Sequence, residues 1–179
     1  MNKKLFKIAI CGIPVILGCI TACSAISSIK INDTTQDVVP SNALPYEVYE
    51  IDESNVLLGF KAGIDLDQYH DGIVNTMEIP SKVTSIDAAA FFENAKSTIP
   101  SFIKNLTFAE NSNCSSIDYN AFNQCSLTSV NLSNCTSLKT ISTYVFFQSL
   151  SLTSVSFPSS LTEIQEAAFK YCSKLNYIA

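Results

Sequence analysis

Asp65-Leu66-Asp67-Gln68-Tyr69-His70-Asp71-Gly72 is the stretch of this chain whose residue types and spacing most suggest chemistry. Counted from Asp67, the positions read Asp67, Tyr69, Asp71 and Gly72, with Glu78 six residues further on. That is close to the spacing of a loop that wraps a calcium ion with carboxylates around a glycine turn. Tyr69 stands where an oxygen ligand is needed, however, and the preceding residues pattern as a hairpin rather than a helix. The stretch therefore reads as a solvated acidic turn. His70 is the only histidine, which leaves no cluster for zinc and no nucleophile–His pair with a third partner. The sequence predicts no enzyme, no cofactor and no metal site.

The second chemically suggestive residue is Cys23. Lys3, Lys4 and Lys7 precede an apolar run of 13 residues, Ile8 to Ile20. A comfortable membrane span needs about 20, so this layout is that of a secretory leader. It ends in Ile20-Thr21-Ala22-Cys23, an order similar to a bacterial lipobox. In that motif the cysteine thiol takes a diacylglyceryl group and cleavage exposes its amine. Cys19 is the weaker candidate, because Leu17 fills a position where the motif prefers a small residue. The reading is a signal peptide over residues 1–22, a lipid on Cys23, and a disordered polar tether over 23–45. Two or three acyl chains on one cysteine would anchor the protein stably, where one would not.

The rest of the chain repeats itself. Val83 to Phe91, Cys114 to Phe122, Leu138 to Phe146 and Leu161 to Phe169 share one frame, an apolar residue or Cys followed by Ile and then Phe. The Ile residues (Ile86, Ile117, Ile141, Ile164) are 31, 24 and 23 positions apart. Between them recurs a second motif, apolar-x-x-apolar-x-apolar: Val74/Met77/Ile79, Ile103/Leu106/Phe108, Leu127/Val130/Leu132 and Leu152/Val155/Phe157. A unit of this length encloses no core by itself; stacked copies bury a continuous apolar column against their neighbours. The paired apolar residues two apart share one face of a strand, so Asn131 and Ser156 point outward. No helical periodicity long enough for a full helix separates the strands. The expected fold is a leucine-rich-repeat solenoid over 71–179, of short parallel strands joined by turns and single helical turns. Ahead of it, Tyr46–Ile51 and Val56–Phe60 read as a β-hairpin closed by Asp52-Glu53-Ser54-Asn55, a cap over 46–70. Leu175 and Ile178 restart the strand motif in a coil that is not completed, an edge where self-association is expected.

These spacings resemble the BspA-type leucine-rich repeats, whose units run Leu-x-x-Ile-x-Ile-Pro, then Val-x-x-Ile, then Ala-Phe and Cys. Ile79-Pro80-Ser81-Lys82-Val83-Thr84-Ser85-Ile86 and Phe157-Pro158-Ser159-Ser160-Leu161-Thr162-Glu163-Ile164 follow that wording. Cys125 and Cys172 match the family cysteine, and Ser149 replaces it in the coil between. The resemblance covers roughly 46–178 and implies a cell-surface protein associated with adhesion. Cys125 and Cys172 would lie two coils apart, about 10 Å at the spacing of stacked strands, beyond the reach of a disulfide. A Cys114–Cys135 bond stays open, and buried thiols are the simpler reading.

Charge narrows the partners. The chain has 11 lysines, no arginine and 16 acidic residues. Three of the lysines lie in the leader, leaving a net charge of −8 for 23–179. An acidic surface without arginine argues against nucleic acid. The expectation is a lipid-anchored, extracellular-facing protein whose solenoid binds a protein or glycan. Its candidate face is the outward stripe Thr107, Asn131 and Ser156, flanked by Asn105, Ser129 and Ser154. The alternative is a passive coat or antigen without a specific ligand.

Overall fold

The computed structural model describes residues 39–92 and 98–178. The leader, Cys23, most of the tether and part of the insertion after Phe92 lie outside the described residues. Within them the chain winds as a coil of short strands, β1 to β11. One wall is a five-stranded parallel sheet of β3 (Thr76–Ile79), β5 (Asn105–Phe108), β7 (Ser129–Asn131), β9 (Ser154–Ser156) and β11 (Tyr177–Ile178), in that spatial order. Its register sets Met77 against Leu106, Leu106 against Val130, and Val130 against Val155. All four are buried, because alternate residues of a strand face opposite sides.

A second wall is built from two-residue strands, one per Ile of the repeat frame. β4 (Ser85–Ile86) pairs in parallel with β6 (Ser116–Ile117), and β8 (Thr140–Ile141) with β10 (Glu163–Ile164). A third wall has no strands at all. Its turns are tied coil to coil by main-chain hydrogen bonds: Phe91 N–H to the Ala121 carbonyl, Phe122 to Val145, and Phe146 to Ala168, at 2.9, 3.0 and 2.8 Å. The stacked coils thus satisfy backbone groups that isolated turns would leave to water. Among the described residues helix is confined to two short 3-10 segments, Tyr46–Val48 and Asp67–Tyr69, and the single helical turns expected between strands are turns instead.

Phenyl rings run down the interior. Phe91, Phe122, Phe146 and Phe169 stack nearly parallel, with centroids 5.4, 5.4 and 5.3 Å apart. At the N-terminal end Phe60 meets Phe91 edge-on at 5.1 Å, and Tyr49 stacks on Phe60. Both residues come from the hairpin β1 (Tyr49–Ile51) and β2 (Val56–Phe60), whose second strand pairs in parallel with β4. The hairpin therefore closes the first coil as a cap. Its turn is held by the Asp52 carboxylate, which accepts the Ser54 and Val56 N–H groups, both at 2.9 Å. The last residues assigned to the tether by sequence do not behave as one. Ala43 bridges to Thr76 and Leu44 is fully buried, so order begins ahead of Tyr46.

Three coils of the third wall each place two residues at positive φ, and the first coil places one among the described residues. Ala89, Asn120, Tyr144 and Ala167 occupy the first such position, and Gln124, Gln148 and Tyr171 the second. Neither position carries a glycine, although a left-handed conformation disfavours other residues by about 1–2 kcal/mol. The stacked turns and their coil-to-coil hydrogen bonds hold this strain in place.

Candidate functional site

The six residues of the outward stripe all lie on the five-stranded sheet, in two rows. Asn105, Ser129 and Ser154 are in register with one another, and Thr76 and Tyr177 extend their row at either end. Asn131 pairs with Ser156, while Thr107 pairs with Glu78. The rows differ in how their polar groups are used. Ser129 Oγ donates to Asn105 Oδ1 at 2.8 Å, and Asn105 Nδ2 donates to Asn75 Oδ1 at 3.2 Å, so the first row is largely bonded to itself. In the second row Asn131 is exposed, and its Oδ1 accepts the Ser133 N–H. Glu78, which the sequence stripe omitted, accepts the Tyr46 hydroxyl at 2.5 Å. The stripe is a flat, half-buried polar surface with one carboxylate at its N-terminal end.

The acidic loop uses its carboxylates on its own backbone. Asp65 Oδ1 accepts the Asp67 N–H at 3.0 Å, and Asp71 Oδ1 accepts those of Ile73 and Val74 at 2.8 and 3.0 Å. The two N–H groups from Val74 and Ile73 pull the Asp71 carboxyl below its ordinary pKa. Glu78 is engaged by Tyr46 on the sheet. His70 stacks on Phe102 with 4.8 Å between centroids, so the insertion's return packs against this loop.

The four cysteines among the described residues line the interior. Cys114, Cys125 and Cys135 are buried and Cys172 half-buried, all as free thiols. Cys114 Sγ reaches the Ser116 carbonyl at 3.4 Å and is hydrogen-bonded with Cys135, which together with burial raises its pKa. Cys125 Sγ sits 3.3 Å from Ser149 Oγ, and Ser149 Oγ donates to the Phe122 carbonyl at 3.3 Å. Cys172 Sγ donates to the Phe146 carbonyl at 3.0 Å. Cys125, Ser149 and Cys172 thus serve in turn as the small polar residue that ties one coil to the next. Burial pushes Cys125 up, and Cys172 to about 11.

These shifts predict reactivity and pH dependence together. In the native protein iodoacetamide should label Cys172 first, with Cys114, Cys125 and Cys135 labelled only on unfolding. Groups held neutral by the fold contribute stability that is complete below their unfolded pKa and lost as pH rises through the folded value. With free thiols near about 8.5 and the buried Tyr49 phenol raised from about 10, the unfolding midpoint should fall steadily above about pH 8.5. A flat profile to pH 11 would contradict the burial.

The third wall carries a feature outside the sequence-derived stripe. Tyr119 and Tyr144 meet edge-on at 5.8 Å, Tyr144 and Phe147 at 5.1 Å, and Phe147 and Tyr171 at 5.4 Å. Tyr119 and Tyr171 are 52% and 56% exposed. Beside this ridge Gln124 Nε2 donates to Gln148 Oε1 at 3.1 Å across neighbouring coils. An open cleft of about 530 Å³ is bordered by Gln124, Gln148, Leu150, Ser151 and Tyr171. The signal was present in the frame, since Gln124, Gln148 and Tyr171 each fall two residues after a core Phe.

Comparison with known proteins agrees with the repeat geometry. The family model described as the BspA type leucine rich repeat region matches residues 100–179 in 6 copies. The chain carries a BspA-type leucine-rich-repeat region. Residues 46–99 lie outside that match; their strands β3 and β4 pair in parallel with β5 and β6 of the matched region. Among solved structures, a leucine rich cell surface protein from Faecalibacterium prausnitzii A2-165 is similar at 24% identity and a TM-score of 0.40. The alignment covers 73% of this chain and 36% of that one, so the chain spans little more than a third of that protein's length. No curated protein matches, and no enzyme family is indicated.

Proposed function

We propose that this BspA-type protein is displayed on the cell surface, held by lipid on Cys23, and binds extracellular protein or glycan through the outer faces of its solenoid. The observation that supports binding is the alignment of side chains from coil to coil. Asn131 and Ser156 set polar side chains in register on one wall, and Gln124 and Gln148 repeat an amide across two neighbouring coils on another. Such a surface is broad and shallow, and it suits an extended macromolecule better than an enclosed metabolite. The sheet stripe lacks the Trp and Arg of tight hot spots and has Tyr only at its C-terminal end, so affinity there depends on many copies on one membrane.

Two measurements test the reading. Mass spectrometry of the mature N-terminus should find an acylated Cys23, and Cys23→Ala should release the protein from the membrane fraction. Cells displaying the full chain should adhere to immobilised matrix glycoproteins, and the Asn131→Lys/Ser156→Lys variant should lower that adhesion severalfold. Adhesion equal to that of cells lacking the protein would leave a passive coat as the function.

A further inference from the structure

We propose that the third wall is a binding site for a neutral oligosaccharide, lying along Tyr119, Tyr144 and Tyr171 and hydrogen-bonded by Gln124 and Gln148. The proposal rests on the surface-binding reading above and names the ligand class and the residues. Three observations carry it.

The first is geometry. Exposed tyrosines are common singly, but here four aromatic side chains from three successive coils form one continuous edge-to-face ridge. Nothing in the solenoid's core requires it, because the interior column is supplied by the separate stack Phe91, Phe122, Phe146 and Phe169. Edge-to-face packing fixes each ring's direction. Tyr119 and Tyr171 are exposed at the two ends of the ridge and Tyr144 is half-buried between them, with Lys170 Nζ over one face of the Tyr171 ring. The C–H face of a pyranose is the natural complement of such a ring.

The second is the polar chemistry beside the ridge. The Gln124–Gln148 bond uses one amide donor and one acceptor. It leaves Gln148 Nε2 and Gln124 Oε1 available at the rim of a cleft that Ser151 and Tyr171 also border. Donors and acceptors together suit vicinal hydroxyls, which both give and receive hydrogen bonds. The third is charge. The ridge and amides are uncharged, and residues 23–179 carry a net −8, so an anionic glycan would be repelled at the approach. Lys170 lies over the Tyr171 ring at 5.3 Å and is the one cation over the ridge's own rings among the described residues, a single charge set against that excess.

The test uses the full chain and cellohexaose, chitohexaose, xylohexaose, mannohexaose and laminarihexaose as probes, with a heparin hexasaccharide as the anionic control. The chain contains no tryptophan, so emission comes from its 7 tyrosines, of which Tyr119, Tyr144 and Tyr171 belong to the ridge. At least one neutral probe should change that emission saturably, and heparin should not. Tyr144→Ala and Tyr171→Ala should each weaken binding about tenfold, while Tyr171→Phe, which keeps the ring, should bind within about twofold of wild type. Gln148→Ala should weaken binding with its thermal midpoint unchanged, which separates loss of contact from loss of fold. Absence of saturable binding by all five neutral probes, tighter binding of heparin, or wild-type affinity in both Tyr→Ala variants would overturn the proposal. If adhesion persists and is lost only with Asn131→Lys/Ser156→Lys, this site falls while the surface-binding function stands.

Discussion

Replacing Phe146 by alanine should lower the unfolding free energy by about 3–5 kcal/mol, the range for deleting a buried aromatic that neighbours cannot collapse around. Phe146 is fully buried and sits between Phe122 and Phe169, so its loss interrupts the ring column on both sides. Its backbone also bonds to the next coil, at Ala168, which limits relaxation into the cavity. Phe122→Ala should cost about as much, for the same reasons. Phe169→Ala should cost clearly less, because its ring is only partly buried and has a parallel partner on one side. Chemical denaturation of the three variants gives the comparison through shifts of midpoint at constant slope. Equal losses at Phe146 and Phe169 would mean that the column continues past Phe169 in solution. A loss at Phe146 comparable with that of a surface change such as Asn131→Ala, within about 0.5 kcal/mol, would mean the ring column is not what holds the coils together.

The solenoid was legible because its stabilising unit is the repeat itself. Ile86, Ile117 and Ile141 recur at a fixed place in the frame, and each is buried on the same wall. The same holds for Met77, Leu106, Val130 and Val155 on the sheet. Burial in a stack is set by periodicity, and periodicity is visible in one sequence. What escaped the sequence has a common physical origin. Turns at Asn120, Gln124, Tyr144 and Gln148 take positive φ without glycine, so composition gave no sign of them. Those turns turn Tyr119, Tyr144 and Gln148 outward on one wall, and a strand-centred reading of outward positions does not reach them. Ala43 and Leu44 were likewise hidden, since a single bridge to Thr76 leaves no period to find. The stripe residues share one sheet, as the alternation implied, but their division into a self-bonded row and an open row depends on contacts 24 and more residues apart.

Ile141 and Ile164 occupy the same place in adjacent coils and pair in register, yet should respond oppositely to the same substitution. Ile141 is fully buried, whereas Ile164 is 48% exposed. Ile141→Ala should cost about 2–5 kcal/mol, by lost transfer energy and a trapped cavity. Ile164→Ala should cost under about 1 kcal/mol, because its side chain has a neighbouring coil on one side and solvent on the other. Ile141→Lys should prevent folding by burying an unpaired charge, while Ile164→Lys should fold. The comparison isolates burial, since residue type, strand pairing and position in the coil are matched. It also tests the last described coil as an interaction surface, where Leu161 and Phe169 are only partly buried and Tyr177 is exposed. If this edge is covered in solution by a second copy of the chain, Ile164→Ala should lose nearly as much as Ile141→Ala, and its loss should grow with protein concentration. A small, concentration-independent effect at Ile164, together with a monomeric mass, would rule out association through that edge. The main-chain bonds of Tyr144, Phe146 and Gln148 to Glu166, Ala168 and Lys170 would then suffice to hold the last described coil.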